Sequence, residues 1–461
     1  MSVAENTVGR PVRHRTFFGE PLALAYLSFT EAWERFSYYG MTALLVLYMS
    51  EQLLLPGHVE HVAGFAGFRS ALESVFGHMS TLALASQIFG LYTGFVYFTP
   101  VFGGLIADRW LGRRNAVVLG AILMSLGHIA MAFDVSFLLA LSLLIVGCGF
   151  LKGNISAQVG ALYSETDGPG RTRGFSIYST GINVGAVAGP LGCGLLAQLY
   201  GWHAGFGLAG ILMLIGLATY LAGYKTLTEE TPRANLSQPE AKLEARDWRL
   251  IAVILGIISL SIFQSIAYNQ NTNMNLIWID RSVDLNLLGF HVPVAWFNSI
   301  DSFVSIVTLP PLLWLWRWQS RHGGEPNEVM KISVGAWMAA IANLLLVIGC
   351  ALHTRVPVIY PVAYDFLLGI AFLYYWPTML ALVSRAAPPS VKATMMGFVF
   401  FSSFIASFLV GWIGTFYERM TPLHFWLLHA GIAATGGVLA LILAKPLGRF
   451  VAEEAAERTD G

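Results

Sequence analysis

Charge is what this chain has least of. Only 12% of its 461 residues are Asp, Glu, Lys or Arg, about half the share usual in soluble domains, while 56% are hydrophobic. So few charges cannot cover a water-exposed surface, which excludes an ordinary soluble enzyme. The 27 basic and 27 acidic residues cancel, so the sequence carries neither the basic surplus that nucleic acid binding needs nor an acidic disordered tail. Cysteine is scarce too. Cys148, Cys193 and Cys350 fall in apolar stretches and read as small interior residues, not as a disulfide or metal framework. No phosphate loop, zinc-ligand spacing or nucleophile elbow is present, so neither catalysis nor a bound cofactor is expected.

What the chain does have is twelve long apolar blocks separated by short charged stretches. They span residues 26–49, 80–106, 115–134, 136–161, 172–198 and 203–224, then 250–279, 292–318, 329–352, 358–385, 392–417 and 423–445. A hydrocarbon core ~30 Å thick takes roughly 20 residues of helix to cross. The alternating pattern of barrel strands is missing, and unpaired backbone is not tolerated in lipid, so the blocks predict an all-α integral membrane protein. With the N-terminus inside, only Arg69, Arg281, Arg355 and Arg419 lie outside, Arg35 and Lys152 fall within helices, and the other 21 cations lie on the cytoplasmic side. This asymmetry predicts cytoplasmic N- and C-termini. The polar start Met1–Glu20 runs into a span too long and too charged for a signal-peptide core, so no cleavable signal is expected.

The mixed-charge stretch 225–249, with Pro232 and Pro239, divides the chain into a six-helix bundle at 1–224 and another at 250–461. After span two comes a loop with Gly103, Gly104, Asp108, Arg109, Gly112, Arg113 and Arg114, and a weaker echo, Arg317 to Gly323, follows span eight. Repeated halves with a site between them are how many secondary transporters are built. The first loop resembles the signature loop of the major facilitator superfamily. That resemblance implies a gating element in which Gly104 and Gly112 permit close helix approach while Asp108, Arg109 and Arg113 latch neighbouring helix ends.

Span one carries Glu31, Glu34, Arg35 and Tyr38 at spacings i, i+3, i+4 and i+7, on one helix face. Each charge inside a membrane costs from ~2.5 kcal/mol upward unless it meets a polar cavity and its opposite. Two acids against one base leave a spare carboxyl, and desolvation favours its neutral form, which suits a proton carrier. The segment Glu31 to Gly40 is similar to the ExxER-aromatic-x-Tyr-Tyr-Gly motif of the proton-coupled oligopeptide transporters. Leu151 to Ser156 resembles that family's span-four Lys-Pro-Asn-Ile-Ser with Gly153 for proline, and Gly181-Ile-Asn183-Val-Gly185 resembles its span-five signature.

The resemblance implies that Arg35 and Lys152 receive a peptide carboxylate, that Glu31 and Glu34 couple proton occupancy to that pocket, and that Tyr38, Tyr39, Tyr97 and Asn183 line it. In the C-terminal half the match weakens. Asn269 and Gln270 stand where relatives place an acid at or beside the glutamine of span seven, and Phe372, four residues before Trp376, replaces the span-ten glutamate that meets the peptide amine. Asp301, where the family has asparagine, is a candidate for the relocated acid. Asp365, two turns before Phe372, is expected nearer the exterior interface. A lone His128 in span three reads as an interior histidine. The resemblance implies a monomeric, multi-pass transporter of the bacterial inner membrane that moves di- or tripeptides or peptide-like molecules with protons as coupling ion. The altered span ten leaves open a modified, amine-blocked peptide or metabolite, imported or exported.

Overall fold

The computed structural model describes residues 16–17, 19–164, 167–227, 243–287 and 289–459. Almost all of them are helical. In chain order the helices are α1 (Leu22–Tyr48), α2 (Phe65–Phe76), α3 (Thr81–Ile106), α4 (Arg113–Ala130), α5 (Phe137–Ala161), α6 (Gly168–Tyr200) and α7 (Trp202–Gly223). The second set comprises α8 (Ala245–Asn269), α9 (Met274–Ser282), α10 (Ile300–Arg321), α11 (Glu328–Leu352), α12 (Ile359–Ala386), α13 (Lys392–Gly414) and α14 (Pro422–Thr459). Extended structure is limited to two-residue strand pairs in loops, such as Val283–Asp284 beside Val356–Pro357.

Ten of these helices are long and apolar enough to cross a membrane on hydropathy alone. The first and third expected spans, α1 and α4, fall short by that measure. The reason is visible in their sequences: α1 carries Glu31, Glu34 and Arg35 in its middle, and α4 opens on Arg113 and Arg114. Outward-facing side chains such as Leu126, Ile211, Trp314 and Ile442 are exposed and apolar, as expected of helices whose solvent is lipid. Span seven is not one rod. It stops at Asn269, makes a single 3-10 turn over Gln270–Thr272, passes through Asn273 at φ −116° and ψ −105°, and resumes as α9. Between the first and second spans, α2 is a short helix outside every predicted block.

Helices α1 and α3 to α7 form one packed group and α8 and α10 to α14 the other, and the two meet most extensively along α3 with α13, each the other's main neighbour, and again along α6 with α10. The stretch 225–249 expected to join them falls largely on 228–242, outside the described residues. Cross-group hydrogen bonds gather at the end where α1 finishes and α3 begins. There Ser299 Oγ donates to the Val187 carbonyl at 2.7 Å and Trp296 Nε1 to the Leu191 carbonyl at 3.0 Å. Asn273 Nδ2 donates to Ser86 Oγ at 2.8 Å, Ser86 in turn to the Gly411 carbonyl at 3.0 Å, and Gln198 Nε2 to the His291 carbonyl at 2.9 Å. Ser80 bonds Glu418 at the same end. A Cβ on Gly90 would stand 2.6 Å from the Gly411 Cα, so backbone meets backbone there.

Candidate functional site

The interior site begins with how α1 is held. Gly181, Gly185 and Gly189 recur every fourth residue of α6 and so form one stripe against α1. A Cβ on Gly185 would stand 2.4 Å from the Ala32 carbonyl oxygen and 2.8 Å from Arg35 Cβ, and one on Gly189 would stand 2.4 Å from the Phe36 carbonyl. Only glycine lets the two backbones approach this closely, and that approach fixes the turn of α1 that carries the charges.

On that turn Glu31, Glu34 and Arg35 are almost completely shielded from solvent, the most exposed being Arg35 at 3%. Arg35 Nε reaches Glu31 Oε1 at 3.2 Å and bonds Glu34 Oε2 more tightly still. The guanidinium carbon lies 5.4 Å from the centre of the Tyr38 ring. One oxygen of each glutamate and Arg35 Nη2 meet no partner among the described residues, so the cluster retains bonding capacity. Lys152, on α5, directs its ammonium at the Tyr97 ring, 4.6 Å from its centre. No acid among the described residues forms an ion pair with it, although it acts electrostatically on Glu34 and Tyr39. Tyr38 and Tyr39 meet edge to face at 5.2 Å.

Across from these groups, Asp301 sits at the start of α10, 7% exposed. The Tyr268 hydroxyl donates to its Oδ2 at 2.6 Å, and the Ser302 amide donates to Oδ1 at 2.7 Å. Phe372 stacks on Tyr268 with ring centres 5.6 Å apart. Asp301 also lies within electrostatic reach of Tyr39, so the two halves face one interior. Trp376, one turn beyond Phe372, is half-buried against Phe400 and Tyr375. Asn269 and Asn183 are half-buried. Gln270, in the 3-10 turn that breaks span seven, is fully buried and bonds His429 on α14 at 3.0 Å. Asp365, in the second turn of α12, has no exposed surface.

The PTR2 profile, described as the POT family, matches residues 114–245 and 240–427, well over half of the chain. The chain belongs to the POT family. Along its whole length it is 28% identical to the peptide transporter YePEPT of Yersinia enterocolitica, with all of both proteins covered. It is 27% identical to a di-/tripeptide transporter of Lactococcus lactis over 94% of this chain and 97% of that protein. A crystal structure of a peptide transporter POT bound to sulfate superposes with a TM-score of 0.82 at 26% identity, covering 95% of this chain and 97% of that one. A mutant of peptide transporter POT in complex with alafosfalin gives 0.80 at 27% identity, with the same coverage. The chain is thus an all-α, multi-pass membrane protein of a transporter family.

In this POT protein the loop after span two has definite geometry. Ala107–Leu111 forms a wide π-helical turn, Gly112 takes φ +73°, which favours glycine, and Arg113 Nε pairs with Asp108 Oδ1 at 3.3 Å. The close approach falls at Gly103, whose Cβ would stand 2.1 Å from the Gly149 carbonyl, while Gly104 faces open space one residue on. Arg109 lies within the π-helical turn. Two tyrosines escaped the sequence reading. Tyr178 of α6 is buried beside Glu31, and Tyr268 holds Asp301. Tyr178 stands about one turn before Gly181 on the stripe helix, a placement that α6 periodicity could have disclosed.

Proposed function

We propose that this chain is a proton-coupled secondary transporter of di- or tripeptides or peptide-like small molecules, working by alternating access as a monomer in a bacterial inner membrane. Protons are its coupling ion and no other cofactor is required. The observation that carries the reading is the shared guanidinium: Arg35 is held by two buried carboxylates while Lys152, facing the same interior, has no ion-paired acid among the described residues. A half-buried ammonium with no ion-paired acid is free to meet an anion, and a substrate carboxylate supplies one through a charge-assisted bond. A proton on Glu34 weakens its hold on Arg35 and frees the guanidinium for the same carboxylate. Proton and substrate then bind together, and the neutralised cluster costs less to carry between the two open states. The Yersinia and Lactococcus relatives, and the alafosfalin complex, support a peptide or peptide-like substrate.

A second reading concerns the other end of the substrate. Phe372 stacked on Tyr268 offers an apolar face beside Asp301, which suits an amine-blocked peptide or amino-acid-derived metabolite, imported or exported. Purified protein in proteoliposomes under an imposed pH gradient tests the main reading. Labelled dipeptide should accumulate with the wild type, and Glu34→Gln should keep counterflow while losing gradient-driven accumulation. Undiminished accumulation by Glu34→Gln overturns proton coupling through this cluster.

A further inference from the structure

Among the described residues, Asp365 is the buried acid of the spanning helices that the cluster on α1 and the Asp301 pocket leave unexplained. It lies on α12 one turn before Gly369, on the same helix face. A Cβ on Gly369 would stand 2.5 Å from the Asp301 carbonyl oxygen, and Ser305 Oγ donates to the Gly369 carbonyl at 2.8 Å. That face of α12 is therefore clamped onto the first turns of α10, where Asp301 sits. Asp365 is 0% exposed, and neither of its carboxyl oxygens meets a donor among the described residues. Glu31 and Glu34 have Arg35, and Asp301 has Tyr268 and Ser302; Asp365 has nothing comparable.

The groups that face it deepen the contrast. The charged group acting on Asp365 is Asp301, an acid. Tyr364, on its own helix, keeps an unpaired buried hydroxyl, and Tyr268 of α8 is reached through Asp301. From α14 comes Trp426, packed on Tyr364 and not titratable, and among the described residues α11 and α13 bring no charge that acts on it. An ionised carboxylate in such a place is an uncompensated buried charge, and the second acid beside it enlarges the penalty. The neutral acid carries only the smaller cost of burying a polar group.

We propose that Asp365 is a second proton-carrying carboxyl, forming with Asp301 a proton site in the C-terminal half separate from the glutamates of α1. This deepens the proton-coupled reading and rests on it. In the state described, the pair holds one proton, on Asp365, while Asp301 is the carboxylate that accepts from Tyr268. Release breaks the Asp365 O–H bond and passes the proton to water that reaches α12 when the interior opens, leaving a second carboxylate beside Asp301 that a substrate ammonium or another proton then neutralises. Each half then has its own carboxyl exchange, and the number of protons moved per substrate depends on both.

Infrared spectroscopy of the full-length protein in lipid, at neutral pH, reads the carboxylic-acid C=O stretch without requiring transport. Wild type minus Asp365→Asn should show one buried acid band, and Asp365→Glu should restore it at a shifted frequency. In proteoliposomes, Asp365→Asn should lower gradient-driven dipeptide accumulation about tenfold while counterflow stays within about twofold. Identical acid bands in wild type and Asp365→Asn overturn the proposal, as does undiminished accumulation. Should Asp365→Asn fail to fold, Asp365→Glu decides, since an unshifted band overturns the assignment. If wild type moves no dipeptide, the transport reading fails, and the infrared difference still settles whether Asp365 holds the proton.

Discussion

In the N-terminal half, Arg35 is gripped by Glu31 and Glu34 with Lys152 a helix away, so both signs of charge are buried together. Among the described residues the C-terminal half buries acids and no cation: Asp301 leans on a tyrosine hydroxyl and a serine amide, and Asp365 on neither. The first arrangement stabilises charge with charge and the second with dipoles or with a proton. Across the interior, these four acids face two cations, so full ionisation would leave two negative charges without partners. Protons and a substrate cation are the two ways to remove them, and each half is suited to a different one. The N-terminal half can exchange a proton for an anion on Arg35, whereas the C-terminal half can exchange a proton for a cation on Asp301.

Removing the guanidinium breaks this comparison most severely. Arg35→Ala strands two buried carboxylates and should cost about 3–5 kcal/mol, read as a lowered unfolding midpoint in detergent, with uptake abolished at every pH. Lys152→Ala should weaken carboxylate-bearing ligands by roughly 1.5–3 kcal/mol and their amidated analogues far less, as measured by calorimetric titration. Equal losses for both ligands would make Lys152 a structural cation. Asp301→Asn tests the opposite half, and should abolish the preference for free over N-acetylated peptides in competition assays. A wild type that already prefers the acetylated form would favour the amine-blocked substrate.

The smallest effect lies outside the membrane. At the end of α1, burial and the neighbouring Asp280 carboxyl push Glu51 from 4.5 up to about 7. Folded protein then binds more protons than unfolded chain between those values, so stability should fall as pH rises through that window. Glu51→Gln should flatten this slope, measured as unfolding midpoints on either side of it. Glu51 is exposed on one side, which keeps the slope shallow.

The long helices were legible because lipid demands uninterrupted apolar length and charge punctuates it. Span one was legible for the opposite reason, since three charges at helical spacing inside an apolar block are tolerated only around a polar interior. Hydropathy does not register where a helix breaks, so the turn at Gln270–Asn273 and the bond it gives Gln270 with His429 cannot be read from the sequence. The Tyr268–Asp301 bond joins residues 33 apart on different helices, a pairing no local pattern encodes. Asp365 was legible as an acid in a span, but its lack of a partner depends on how tightly Gly369 brings α12 to α10.

The glycine stripe of α6 has a mechanical consequence. With Gly181, Gly185 and Gly189 seated on the α1 backbone, neither helix can roll or slide against the other without a clash, so the two form one stiff strut. The strut carries Arg35 at its middle and, through the carbonyls of Val187 and Leu191, is tied to Ser299 and Trp296 immediately before Asp301. Movement of the two helix groups apart at that end would pull on those two ties and so shift Arg35 and Asp301 relative to each other. The separation between Arg35 and Asp301 would therefore report how far the two helix groups have moved.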